Sequence, residues 1–326
     1  MQNQEAAVTV VARVSSSRGE RARVLWGEEE LRAAVRVALL QSPDTIPVAG
    51  DWVTVRRLEE GKVLIESVLP RKTKISRRAA GREGKEQVLA ANVDVALLVA
   101  GLDGDFNVRR LERYLAITHD GGVEPVVVLN KCDLCADVAG AVALARAVAG
   151  KSQVFAVSAA DNIGMEDVFA LLTDGRTAVL LGSSGAGKST LLNRIIGRDA
   201  HRTGAVRESD ARGQHTTTDR ELILLPSGAA LIDTPGLREI QLMVGADALD
   251  AVFDEIAVLA RTCRFKDCTH VAEPGCAVRE AVPPERLASF QKLTGETAWL
   301  SNELTEKQRW RSIHKAAKRF YRERNR

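Results

Sequence analysis

The sequence predicts a chain of several domains: a small N-terminal β-barrel, a central α/β domain with a parallel sheet, and a C-terminal α-helical unit. Three observations carry that division. Residues 1–70 are short apolar, β-branched runs broken by Gly, Pro and charged turns, with no convincing helix. From residue 92 continuous apolar runs alternate with helical stretches, the pattern of strands buried on both faces and covered by helices. After residue 236 no strand pattern is evident.

In the first unit, strands are expected at 8–14, 24–26, 33–40, 52–57 and 63–68. Five short strands suit a small barrel. In the second, strands are expected at 93–100, 123–129, 154–157, 177–181, 222–225 and 230–232. Helices are expected at 108–118, 139–149 and 165–172. In the third, one helix is expected at 246–260, a cysteine cluster follows, and two more helices lie near 284–293 and 305–324.

The composition is that of an ordinary soluble protein, with 326 residues, 45% apolar and 27% charged. No apolar run is long enough to cross a bilayer. The opening MQNQEAAVTVVARV has no basic start, so a cytoplasmic, membrane-free protein is expected. The five cysteines are Cys132, Cys135, Cys263, Cys268 and Cys276. An odd number without an export signal argues against a disulfide framework and for metal binding or incidental use. The segment RKTKISRRAAGREGK at 71–85 and the stretch 305–326 are both strongly basic around a more acidic body. Two such segments suggest a polyanionic partner, with solvated surface as the plainer alternative.

The central domain carries a nucleotide motif. Gly182, Ser183, Ser184, Gly185, Ala186, Gly187, Lys188 and Ser189 fit G-x-x-x-x-G-K-[ST], after an apolar strand and before a helix opened by Thr190. Glycines let backbone N–H groups curl around phosphate oxygens, and the helix N-terminus adds its positive end. Lys188 is expected on the β- and γ-phosphates and Ser189 on Mg²⁺. Asp233-Thr-Pro-Gly236 closes another apolar strand, placing Asp233 by the metal and Gly236 by the γ-phosphate. Asn130, Lys131, Cys132 and Asp133 follow the strand VVVL. A carboxylate at Asp133 accepts from guanine N1–H and its 2-amino group, a pair adenine lacks. Ser158 and Ala159 follow VFAV, with a backbone N–H available to the guanine oxygen.

These are the elements of a GTPase in an unusual order, with the base-reading segments ahead of the phosphate loop. The chain reads as circularly permuted, which is tolerable where domain termini lie close together. Between the phosphate loop and Asp233 lies RGQHTTT. Thr217, or its neighbour Thr216, is expected to complete the Mg²⁺ shell and sense the γ-phosphate. Leu237 stands where many GTPases place a water-orienting glutamine, and an aliphatic side chain cannot orient water. His215 is the nearest candidate for that work. Intrinsic turnover is therefore expected to be slow and stimulated by a partner. Cys263-x4-Cys268-x-His270-x5-Cys276 supplies a full Cys3His set for one closed, structural zinc site.

Taken together, the residues resemble the circularly permuted GTPases of bacteria that depend on the small ribosomal subunit. The resemblance is carried by AGDWV at 49–53, AANVD at 90–94, NKCD, GSSGAGKST, GQHTTT, DTPGLRE and the cysteine segment 263–276. It implies an OB-fold barrel over 1–74, a permuted P-loop GTPase domain over 75–239 and a zinc-binding helical domain over 240–326. It further implies late maturation of the small subunit, with hydrolysis stimulated by the subunit and coupled to release, and a catalytic His215. The chain departs at Gln214, where the family often has Arg or Lys. Binding to rRNA is expected to be mainly electrostatic, because aromatic residues are only 4% of the chain. Trp310, Phe320 and Tyr321 in the basic C-terminal stretch either stack on bases or pack that helix; packing is the favoured reading. A monomer is expected. Two alternatives stand beside the GTPase reading: an RNA-binding protein using GTP only as a conformational ligand, and a GTPase acting on another RNA.

Overall fold

A computed structural model of the chain describes residues 9–27, 29–42, 44–58, 62–78, 86–173, 175–197, 220–234 and 244–298. His215, Thr216, Thr217, Gly236 and Leu237 lie outside them, as do Gln214 and the aromatics of 305–326.

The barrel consists of β1 (Thr9–Arg18), β2 (Arg21–Trp26), β3 (Glu29–Val35), β4 (Trp52–Arg57) and β5 (Val63–Val68). Pairing runs β1–β2–β3–β5–β4 and returns from β4 to β1, so the sheet closes. Strand alternation puts two residues of each strand inside: Ala12/Val14, Ala22/Val24, Ala33/Val35, Val53/Val55 and Val63/Ile65. Nearly all are Ala or Val, the volumes that fill so narrow a barrel. The expected strand 33–40 stops at Val35, and Val37–Gln41 forms a 3-10 turn instead. In the AGDWV segment the fully buried Asp51 carboxylate accepts from two guanidinium nitrogens of Arg71, Nε and Nη2, each at 2.8 Å. Arg71 of the basic run 71–85 is thus engaged inside the protein; Lys74 pairs with Glu86 in a half-exposed position.

That run also contributes to a hairpin the sequence pattern does not reveal, β6 (Lys74–Arg78) against β7 (Glu86–Ala91). The central sheet follows: β8 (Val95–Gly101), β9 (Glu124–Asn130), β10 (Gln153–Ala156), β11 (Thr177–Gly182), β12 (Glu221–Leu224) and β13 (Ala230–Asp233). Their order is β10-β9-β8-β11-β13-β12, all parallel except β12. A bridge between Ser16 of β1 and Glu221 of β12 carries the sheet on into the barrel. Helices α1 (Val108–Asp120), α2 (Val138–Ala149), α3 (Met165–Leu171) and α4 (Lys188–Ile196) connect the strands. Asn107 and Asp137 cap α1 and α2 by accepting from the third residue on.

The C-terminal unit contains α5 (Ala246–Val252), α6 (Asp254–Ala260), α7 (Ala277–Ala281) and a further helix, α8, over 284–298. The single helix expected at 246–260 is broken at Phe253. Phe253 is fully buried, edge-on to Phe290 at 5.4 Å and under the Arg286 guanidinium at 4.1 Å. These helices share one apolar core with α1 and the sheet face beneath it. Buried charge joins the same elements: Glu112 of α1 accepts from Arg286 and Ser289 of α8, and Arg113 forms a two-pronged pair with Glu296. No described helix is long and apolar enough to cross a membrane.

Candidate functional site

Asn130–Asp133, Ser158–Ala159, Gly182–Ser189 and Asp233 each sit at the carboxyl end of a parallel strand. Permutation alters the order of the strands along the chain but not this edge of the sheet. Chain connections run from β8 outward through β9 to β10, then return to β11 on the other side of β8. Such a reversal opens a crevice at the carboxyl ends, the usual ligand position in open α/β sheets.

The phosphate loop turns from β11 into α4. At Gly187, φ is +88°, and a Cβ built there falls 2.2 Å from Asn130 Nδ2. Glycine is therefore required both for backbone conformation and for space. Lys188 folds over the loop, donating to the Gly182 carbonyl at 2.8 Å and to that of Ser183. Burial lowers the Lys188 pKa, and the Asp233 charge opposes that shift. The Asp233 carboxyl is raised by burial and held down in part by Lys188. Ser189 and Thr190 are exposed on the first turn of α4. Thr234, buried beside Asp233, donates to the Leu180 carbonyl at 2.9 Å and ties that segment to β11.

The base-reading segment forms a 3-10 turn, Cys132–Leu134, entered through Lys131 in the left-handed conformation (φ +64°). The Cys132 amide donates to the Val157 carbonyl at 3.0 Å, which leaves Asp133 exposed at the turn. Cys132 and Cys135 are half-buried and pack against the main core, an apolar role for the pair. Asn130 is buried and bridges two loops: Nδ2 donates to the Ala186 carbonyl and Oδ1 accepts from the Ala159 amide, both at 3.0 Å. Asn130 thereby anchors the Ser158–Ala159 turn to the phosphate loop. Arg194 of α4 fastens the same turn through the carbonyls of Ala159 and Ala160, at 2.9 and 2.6 Å. Ser158, also buried, exchanges hydrogen bonds with Asp161.

Substituting Gly187 by Ala is expected to weaken binding of a fluorescent GDP analogue roughly 10-fold to 100-fold, the equivalent of about 1–3 kcal/mol of strain. Unchanged affinity in a titration would show that the loop has room the geometry denies it.

Sequence reasoning missed Asp103 and Asp105. Both lie in the loop leaving β8, and they hold Lys131 and Ser183 respectively. A carboxylate in a Gly-containing loop looks like an ordinary solvated turn. Only the sheet order, which places β8 between β9 and β11, brings them to the site.

A second site lies in the C-terminal unit. The ligand atoms of Cys263, Cys268, His270 and Cys276 all fall within 4.8 Å of one another. Cys263 Sγ is 3.9 Å from Cys276 Sγ and 3.7 Å from His270 Nδ1, which is 3.3 Å from Cys276 Sγ. A tetrahedral ion with bonds of about 2.3 Å to sulfur and 2.0 Å to nitrogen requires edges of roughly 3.5–3.8 Å. The donor set thus fits a small metal ion. His270 sits at φ +59°, a strained conformation for a non-glycine residue. Glu273 supports it by accepting from the amides of Thr269, Val271 and Ala272. Hydrogen bonds led by the Thr269 hydroxyl hold the Glu273 carboxyl far below the usual range. Gln291 of α8 donates to the His270 carbonyl at 2.8 Å.

A five-stranded barrel, a parallel sheet with its nucleotide motifs in rotated order and a Cys3His cluster together define a circularly permuted GTPase. The RsgA GTPase family model matches residues 68–243. A small ribosomal subunit biogenesis GTPase RsgA from Opitutus terrae is 46% identical over 320 residues, covering 92% of this chain and 85% of the relative. One from Xylella fastidiosa is 52% identical over 262 residues, covering 78% and 76%. The crystal structure of YjeQ from Thermotoga maritima matches with a TM-score of 0.66 and 27% identity, covering 89% of this chain and 99% of that one. YloQ, described as a circularly permuted GTPase, matches at 0.62 over 91% and 98%; at 20% identity it speaks for the fold alone. The chain belongs to the RsgA GTPase family and is a GTP-hydrolysing enzyme.

Proposed function

We propose that this GTPase acts in the biogenesis of the small ribosomal subunit, hydrolysing GTP when bound to the subunit and leaving it afterwards. The carrying observation is the 46% identity, over 92% of the chain, to a relative bearing that function in its name. The division into 1–74, 75–239 and 240–326 serves as the working domain assignment, and a cytoplasmic monomer is the working state. Gly182–Thr190 binds the phosphates, with Lys188 neutralising charge that grows on them during transfer. Asp133 reads guanine, while Asn130, Ser158 and Ala159 fix the loops around it. Magnesium fits the hard oxygens of Ser189 and Thr217 with Asp233 nearby, and supplies charge neutralisation at the β- and γ-phosphates when bound. Gly236 presents its amide toward the γ-phosphate, and His215 orients the attacking water. The ion of the Cys3His cluster is zinc, chosen by its soft sulfur donors and closed coordination, and its role is structural.

The test is a GTPase assay with and without purified small subunits at two salt concentrations. Turnover is expected to rise at least about tenfold with subunits, and the gain to shrink at higher salt as phosphate contacts weaken. Equal turnover in both arms with no binding to the subunit would refute the ribosomal role. Negligible turnover in both arms with subunit binding retained would favour GTP as a conformational ligand.

A further inference from the structure

The loop over 102–107 leaves β8, the strand between the phosphate-binding strand β11 and the base-reading strand β9. Its two carboxylates reach in opposite directions. Asp105 accepts from the Ser183 hydroxyl at 2.6 Å, on the phosphate-loop side. It is itself gripped by Arg110 of α1, whose two terminal nitrogens each donate to a carboxylate oxygen at 3.0 Å. Arg110 also donates to the Asp105 carbonyl at 3.1 Å, so the acid is fixed at both ends. Asp103 pairs with the Lys131 ammonium on the base-reading side. The Ser183 hydroxyl and then Arg110 hold the Asp105 carboxyl below the ordinary range, and Lys131 does the same for Asp103. Both carboxylates are thus ionised at neutral pH, and charge-assisted hydrogen bonds are the stronger kind. Ser183 is buried, so its hydroxyl has no easy substitute partner in water.

We propose that Asp105 is a positioning residue for nucleotide binding, holding the phosphate loop in register through Ser183 while Asp103 aligns Lys131, so that 102–107 clasps the two ligand loops. The clasp rests on the reading of 182–190 and NKCD as the nucleotide site. It acts mainly on binding: neither carboxylate bonds directly to the phosphate-transfer residues Lys188 and Asp233, although the Asp105 charge is felt at Lys188. Its anchor is rigid: α1, which supplies Arg110, is tied to α8 two and three residues further on, through Glu112 and Arg113.

The experiment uses the full-length protein and measures GDP affinity, KM and kcat for GTP, and Tm, for the wild type, Asp105→Ala, Ser183→Ala and the double variant. Asp105→Ala is expected to raise KM and the GDP dissociation constant about tenfold, the loss of one charge-assisted bond, with kcat at saturating GTP within about twofold. Ser183→Ala removes the same bond from the other side, and the double variant is expected to be no worse than Asp105→Ala alone. A KM unchanged in both single variants overturns the clasp. So does a strictly additive double variant, or a fall in kcat and Tm with KM constant, which would mark Asp105 as a folding residue only. Should Asp105→Ala fail to fold, Ser183→Ala alone decides by its KM. A wild type that binds no GDP overturns the nucleotide-site reading itself; binding by the wild type with unchanged variants overturns only the clasp.

Discussion

Replacing Asp133 by Asn is expected to move the enzyme's preference from GTP to xanthosine triphosphate. The turn that presents the residue determines what it can reach. Cys132 anchors the 3-10 turn to the Val157 carbonyl, and Lys131 enters it in the left-handed conformation, so the Asp133 carboxylate stands exposed at the crevice. Both its oxygens accept, which matches the two donors of guanine, N1–H and the 2-amino group. An amide offers one acceptor and one donor. Against guanine it loses one bond and meets donor with donor; against xanthine, whose position 2 is a carbonyl, both bonds return. Losing one charge-assisted bond of about 1.5–3 kcal/mol and weakening the other by about 1 kcal/mol makes a difference of about 2.5–4 kcal/mol, on the order of 10²-fold to 10³-fold in kcat/KM for GTP. Steady-state kinetics with GTP, xanthosine triphosphate and ATP measures this directly. An Asp133→Asn variant that hydrolyses GTP as well as the wild type would remove Asp133 from the base site.

The strands and phosphate loop were legible because their signals are local. β4 alternates between core and surface, β5 does so over its first half, and their expected bounds match those observed. β8, β9 and β11 are continuous apolar runs that only burial on both faces explains. Where tertiary contacts decided, the pattern misled. The run VALL after β3 is as apolar as a strand but turns into a 3-10 segment. The helix expected at 246–260 contains neither Pro nor Gly, yet breaks where Phe253 swings inward to meet Phe290 and Arg286. The β6–β7 hairpin was hidden because a basic sequence does not look like a strand, although Ile75 and Val88 to Ala91 carry it into the core. The site divides the same way. Gly182 to Ser189 are defined by spacing along the chain, whereas Asn130 as a bridge, Arg194 as a clamp and Asp105 as a partner of Ser183 exist only through sheet order. Glu273 is a similar case: its three amide contacts form within one turn, but nothing in Glu-Pro-Gly announces that the turn serves His270.

Changing Cys276 to Ser is expected to strip the metal and loosen the C-terminal unit while sparing nucleotide binding. The ligands lie between short helices: Cys263 follows α6, Cys268 and His270 stand in the loop, Cys276 caps α7 by accepting from the Arg279 amide, and Gln291 joins His270 to α8. α6 and α7 are only seven and five residues long, too short to be stable helices by themselves. An ion at their junction would add to the apolar core they share with α1. A hydroxyl deprotonates far less readily than a thiol, so serine removes one of three anionic donors. Structural zinc sites bind with about 10–16 kcal/mol, and a quarter of that is about 3 kcal/mol, or roughly a hundredfold in affinity. Metal analysis of the purified variant should therefore fall from one zinc per chain toward none after mild chelation, and its melting transition should move down. GDP affinity should fall by less than the tenfold expected for Asp105→Ala, because α5 to α8 reach the nucleotide loops only through α1 and Arg110. A serine variant that keeps stoichiometric zinc would exclude Cys276 as a ligand, and collapse of GDP binding together with the metal would mean that α5 to α8 hold the nucleotide loops through α1.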